Sequence, residues 1–203
     1  MRVIVPYAPH KPKTRLANTL SVNERMEFAD AMLADVLATV RATNHKPEVL
    51  ATAPIKAEAT VIVDDRSLTT AVNAVLAESE EIVTVVMADL ALATPDTLER
   101  LFETNGEVVL APGRRGGTNA LVARHPEFRV DYHGTSYLDH LEIAREVGAE
   151  VGVVDSHRLA TDVDEREDLA EVLIHGSGES YEWLKSSGFS LSADGGRVNV
   201  VRE

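Results

Sequence analysis

Cysteine is absent from the 203-residue chain, which removes disulfides, thiolate metal sites and cysteine nucleophiles together and fits a reducing compartment. Aromatic residues are scarce, at 4%. No apolar stretch approaches the roughly 20 residues of a membrane span. The N-terminal MRVIVPY has neither a long apolar region nor a small-residue cleavage site, so it reads as a first strand and a cytoplasmic protein is expected. Positive charge is short as well. A formal charge of −13 argues against nucleic acid, because neutralising phosphates requires a basic face. Only five of the 20 basic residues are lysine, the balance expected of a protein kept soluble in strong salt, as in a halophilic archaeon. Linkers rich in Pro, Ser or Gly are also missing, so one domain over residues 1–188 is expected, with a C-terminal appendage over 189–203.

What is present is an α/β pattern centred on EIVTVVMADLALATPDTLERL, residues 81–101. Ile82, Val83, Val85, Val86 and Met87 form the near-continuous apolar run of a strand covered on both faces. Asp89 follows it, then Thr94 and Pro95 open a helix lined by Leu98, Leu101 and Phe102. An acid just past a strand's carboxyl end lies where open α/β sheets bind ligands. Before this unit come a first strand to Pro6, a loop carrying Lys11, Lys13 and Arg15, and a helix. Ser21 and Glu24 form that helix's capping box, and Met26, Ala29, Leu33, Val36, Leu37 and Val40 its apolar stripe. Strands at 48–52 and 60–64 and a helix capped by Ser67 follow.

Beyond the central unit, strands at 107–111 and 118–123 flank PGRRGG, whose Gly113, Gly116 and Gly117 bring backbone amides and two arginines together. Ser136 and Asp139 are placed as the cap pair of the next helix, which ends at Gly148, and a strand follows at 151–154. Asp162 and Asp164 precede a helix that stops at Gly176. A short helix from Tyr181 leads into a hairpin around Asp194-Gly195-Gly196. The hairpin's alternating Phe189, Leu191, Val198, Val200 and Val201, beside Trp183, give it an apolar face that a two-stranded ribbon cannot bury alone. A homodimer with the ribbon at the contact is expected; the alternative is that the ribbon folds back on its own domain.

Asp89, Asp162 and Asp164 sit on two loops that a doubly wound sheet can bring to one edge. Two bare carboxylates ~4 Å apart repel by ~4 kcal/mol at an effective dielectric of ~20, so such a cluster requires a shared proton or a cation. Oxygen-only ligands favour Mg²⁺ held partly by substrate phosphates. The plainer alternative for Asp162 and Asp164 is interaction with a helix dipole. A dehalogenase-type phosphatase fits poorly, because Arg158 to Thr161 is a weak strand end. The seven histidines show no H-x-x-x-H or H-E-x-x-H spacing.

VIVPY followed by KPKTRLA, then VVMADLAL, GRRGGTNAL, YHGTSYLDH and TDVDEREDL, in this order over nearly the whole chain, resembles the 2-phospho-L-lactate guanylyltransferase family of coenzyme F-420 biosynthesis. The wider group comprises GT-A-type nucleotidyltransferases, including the molybdenum-cofactor guanylyltransferases. The resemblance implies a single Rossmann-like, three-layer α/β/α domain of GT-A type, with a mainly parallel sheet and the C-terminal β-hairpin. It implies GTP and 2-phospho-L-lactate, or a close analogue such as phosphoenolpyruvate, as substrates. It further implies that Asp89, Asp162 and Asp164 hold Mg²⁺, that Lys13 and Arg15 face the nucleoside triphosphate, and that Thr118, Gly134 and Ser136 contact the acceptor. Many relatives have a lysine where Tyr7 stands here, and Lys11 and Lys13 are the candidates to replace it, so Lys11 is expected to join Lys13 and Arg15 at the GTP phosphates. They also have a D-L-P turn where this chain has Asp89-Leu90-Ala91. The alternatives are a nucleotidyltransferase acting on molybdopterin or a sugar phosphate, and a nucleotide-binding regulator without catalysis.

Overall fold

A computed structural model describes residues 1–10, 12–193 and 198–202. Lys11 and the Asp194-Gly195-Gly196 turn therefore lie outside the described residues. Seven strands, β1 (Arg2–Tyr7), β2 (Pro47–Ala51), β3 (Thr60–Val63), β4 (Val83–Val86), β5 (Val108–Pro112), β6 (Thr118–Ala123) and β7 (Val151–Val153), form one sheet in the order 3-2-1-4-6-5-7. All its pairings are parallel except those of β6, which runs antiparallel to both β4 and β5. That reversal matters for the site, because it puts the beginning of β6 at the edge where β1 and β4 end.

Strand residues alternate between two cores, since successive side chains leave a strand on opposite faces. Val3, Val5, Val86, Val109 and Val122 meet α1 (Val22–Ala42), α3 (Pro95–Glu103), α6 (Arg166–His175) and α7 (Glu179–Ser186). Ile4, Val85, Leu110 and Leu121 meet α2 (Leu68–Glu78) and α4 (Ser136–Glu146). The three-layer α/β/α architecture follows directly. No helix among the described residues is long and apolar enough to cross a membrane.

The capping box of Ser21 and Glu24 opens α1, and Ser67 caps α2 by accepting from the Thr70 amide. Three details differ from the sequence reading. Met26 is 40% exposed, and the buried stripe of α1 instead includes Phe28 and Met32, because the helix is rotated to place an aromatic ring against Trp183. Residues His157–Ala160 form a one-turn helix, α5, capped by Ser156, which is too short to carry a periodic signal. Ser136 is the first residue of α4 rather than its cap, and its hydroxyl is used elsewhere.

Strands β8 (Phe189–Ser192) and β9 (Asn199–Arg202) form the expected hairpin. The ribbon folds back on its own chain: Phe189 stacks on Trp183, and Phe189 and Val200 join the core beside α6 and α7. Leu191, Val198 and Val201 stay 42%, 51% and 37% exposed.

Candidate active site

Four loops converge above the carboxyl ends of β1 and β4. The first, residues 12–21, is anchored by the fully buried Leu16 and Leu20 and contains a one-turn 3₁₀ helix, Thr14–Leu16. Its N-cap, Lys13, adopts a left-handed backbone with φ +52°, unusual outside glycine. That turn points the side chain inward. Lys13 Nζ donates to Asp89 Oδ2 at 2.6 Å and to Asp164 Oδ1 at 2.8 Å, and Arg15 donates to Asp164 Oδ2 at 3.2 Å. Burial works against the lysine's charge, but the two carboxylates outweigh it and raise its pKa above the ordinary value. Asp164 is likewise partly buried, yet Lys13, Arg15 and Arg115 hold its pKa below the usual carboxylate value. Asp89 Oδ1 is buried and has no hydrogen-bond partner among the described residues.

Beside this cluster lies a cleft of about 210 Å³, lined by Tyr7, Ala8, Pro12, Met32, Met87 and the three charged groups, among others. Tyr7 is not part of the charged cluster: its hydroxyl donates to Asp30 on α1, and burial is the first cause of its strongly raised pKa. The ammonium that meets Asp89 and Asp164 is that of Lys13.

The second acid-bearing loop, 161–165, is shaped by a residue the sequence reading passed over. Asp168 is 2% exposed; its Oδ2 accepts from the Asp164 and Glu165 amides at 3.0 and 2.8 Å, and its Oδ1 accepts from Arg114. Arg115 pairs with Glu165 at 2.9 Å. Both arginines of PGRRGG thus brace the acidic loop. The E-x-x-D spacing of Glu165 and Asp168, a capping box, is the signal that was available.

Asp162 is held by a different partner from the other two acids. Its Oδ1 accepts from Asn119 Nδ2 at 3.2 Å, and Asn119 also donates to the Leu159 carbonyl at 3.0 Å. Asn119 is buried beneath Gly113, where an added Cβ would stand 2.6 Å from Asn119 Oδ1. The three aspartates do not close on one point. Among the described residues, the one group of three possible ligands whose atoms all lie within 4.8 Å of one another is His157, Glu171 and His175. For a divalent ion the fitting donors here are Asp89, whose Oδ1 has no partner among the described residues, and Asp164, which shares Lys13 with it.

A second, neutral network adjoins the cluster at the start of β6. The Thr118 amide donates to Ser136 Oγ at 3.0 Å, and the Tyr137 amide to the Gly116 carbonyl at 3.1 Å, tying the 131–136 loop to PGRRGG. His140 is fully buried, and its Nε2 accepts from the Asp131 amide at 3.0 Å. An amide can only donate, so the ring proton sits on Nδ1, which donates to Thr118 Oγ1 at 2.8 Å. Thr118 therefore keeps its own hydroxyl proton for another partner. Desolvation, opposed by Asp131, lowers the His140 pKa to about 4, so the ring stays neutral. Gly134 holds φ +59° where an added Cβ would meet nothing, so backbone conformation, not space, calls for glycine.

Residues 1–202 match the family model described as "Guanylyl transferase CofC like". Over 202 residues the chain is 57% identical to a 2-phospho-L-lactate guanylyltransferase of Halomicrobium mukohataei, with all of both chains covered. It is 56% identical over 206 residues to the protein of that name from Haloarcula marismortui, covering 100% of this chain and 99% of the relative. In three dimensions it is similar to a Methanothermobacter nucleotidyl transferase, with TM-score 0.59 and 13% identity, covering 91% of this chain and 98% of the other.

Proposed function

Because the chain belongs to the CofC-like guanylyl transferase family, we propose that this edge joins GMP from GTP to 2-phospho-L-lactate, releasing pyrophosphate, in coenzyme F-420 biosynthesis. An acceptor phosphate oxygen attacks the α-phosphorus of GTP, the bond from that phosphorus to the bridging oxygen breaks, and pyrophosphate departs. The nucleophile is already ionised at neutral pH, so no general base is needed. The observation that carries this reading is the meeting of Asp89 and Asp164, from two loops, on the single ammonium of Lys13.

In this reading Asp89 and Asp164 hold Mg²⁺, with Asp162 on the same loop oriented by Asn119. The ion supplies neutralisation of the charge that develops on the phosphates. Lys13, released from the acids, and the exposed Arg15 receive the triphosphate. The free proton of Thr118, the Ser136 hydroxyl and the backbone at Gly134 receive the acceptor's anionic groups, since a helix start with an available donor favours negative charge. Lys11, the third expected phosphate contact, lies outside the described residues.

Pyrophosphate release should be measured with GTP, ATP, CTP and UTP against 2-phospho-L-lactate, phosphoenolpyruvate, phosphoglycerate, a sugar phosphate and molybdopterin. GTP with a small phosphorylated acid should be fastest; turnover confined to molybdopterin or a sugar phosphate would refute the reading. A homodimer completes the proposal, supported by exposed Leu191, Val198 and Val201 on the hairpin. Because Phe189 and Val200 are core residues, the fair test is Leu191→Asp with Val198→Asp in light scattering. A wild-type monomer, or a variant that remains dimeric, would remove it.

A further inference from the structure

On the outer side of the acidic loop, two histidines and a glutamate from two helices face one another. His157 opens α5, while Glu171 and His175 lie one turn apart on α6, an E-x-x-x-H spacing. The Nε2 atoms of His157 and His175 approach the same Glu171 oxygen, at 3.1 and 3.6 Å. The rings stand 5.5 Å apart at 78° to each other, and all three ligand atoms fit within 4.8 Å.

These distances have the scale of a coordination sphere. Around an ion with bonds of ~2.0–2.1 Å, tetrahedral ligands are separated by ~3.3 Å. Two edges already bracket that value, and the third lies within 4.8 Å. All three side chains are partly solvent-accessible, with His157 53% exposed, so water can complete the sphere.

We propose that His157, Glu171 and His175 bind one Zn²⁺-class divalent ion, with water as the remaining ligand. Two imidazoles and a carboxylate select Zn²⁺, Co²⁺ or Ni²⁺ over Mg²⁺, whose preference is for oxygen donors. This site is therefore chemically separate from the Asp89 and Asp164 pair. Its position gives it a structural task. The His157 carbonyl accepts from the Thr161 amide at 3.1 Å and from Thr161 Oγ1 at 2.9 Å, so the first residue of the acidic loop hangs from a metal ligand. Helices α5 and α6 flank residues 161–165, and an ion across them closes the loop's two ends into one rigid unit. The proposal does not depend on the guanylyltransferase reading, because metal binding is its readout.

The test is a Zn²⁺ titration of chelator-stripped, full-length protein against a chromophoric competitor. Excess Mg²⁺ is kept present so that carboxylate-only sites are filled. The wild type should bind one equivalent, gain melting temperature with Zn²⁺, and give an intense visible spectrum with Co²⁺. His157→Asn and His175→Gln, both substitutions at exposed positions, should each weaken Zn²⁺ binding at least tenfold and abolish the melting shift. Asp164→Asn should retain both. No Zn²⁺ uptake by the wild type, or a loss of less than tenfold in either histidine variant, would overturn the proposal.

Discussion

The Lys13, Asp89 and Asp164 cluster and the Thr118, Ser136 and His140 network share one sheet edge but are built on opposite principles. The first is charged and half-open, and each acid is paired with a cation. The second is neutral, buried and fixed by donors that cannot turn round, above all the Asp131 amide against His140. A phosphoryl-transfer site needs both. Groups that meet changing charge must exchange partners, whereas groups that orient a small acid are most useful when their polarity is set beforehand.

The sharpest way to break this comparison is to remove one exchangeable acid. Asp89→Asn or Asp164→Asn should lower kcat by about 10²–10³, or ~3–4 kcal/mol of transition-state stabilisation, with the fold intact by circular dichroism. Near-normal turnover in both would take away their catalytic role.

On the neutral side the largest expected effect is a pH dependence. His140 has a pKa of about 4 in the fold against 6.5 when unperturbed. Between those values the unfolded chain binds a proton that the native chain does not. Stability from this group is thus complete above pH 6.5 and falls as pH drops toward 4, by about 3 kcal/mol in total. His140→Leu should be less stable at pH 7 yet show a flatter decline of Tm across that window; an unchanged slope would mean the ring does not stay neutral.

Lys13→Met sharpens the contrast further. It leaves two acids facing each other without their ammonium, and should cost about 1–2 kcal/mol once the acids' partial exposure is allowed for. Added Mg²⁺ should then raise Tm more in the variant than in the wild type, since the ion no longer competes with Lys13. Equal Mg²⁺ shifts would contradict the exchange.

The smallest effect belongs to Ser136→Ala, which orphans the Thr118 amide at a cost of about 1 kcal/mol. The acceptor KM should rise while the GTP KM holds. A lower Tm with unchanged acceptor KM would reduce Ser136 to structural support.

The charged half was far more legible in the sequence than the neutral half. Asp89, Asp164, Lys13 and Arg15 each follow a recognisable strand or precede a helix, so local pattern places them at the carboxyl edge. The strands were legible for the same reason, as apolar runs with turn residues between them. Asn119, His140 and Asp168 act through partners that topology alone supplies. Asn119 reaches Asp162 because β6 runs antiparallel beside β4, a reversal that no local spacing announces. His140 reads as one more surface histidine until α4 is seen to lay it under Thr118. The hairpin was legible as a ribbon, but its apolar face met α6 and α7 of its own chain, a choice fixed by the stacking of Phe189 on Trp183.

We propose that exchange of Lys13 for a metal ion at the two acids turns this edge into a GMP transferase. Its most direct test is pyrophosphate release by the wild type with saturating GTP and 2-phospho-L-lactate, followed with Mg²⁺, after chelation, and after Mg²⁺ is restored. Steady release, collapse to background and full recovery are the expected results. Release that continues unchanged through chelation, or none with Mg²⁺ present, would contradict it.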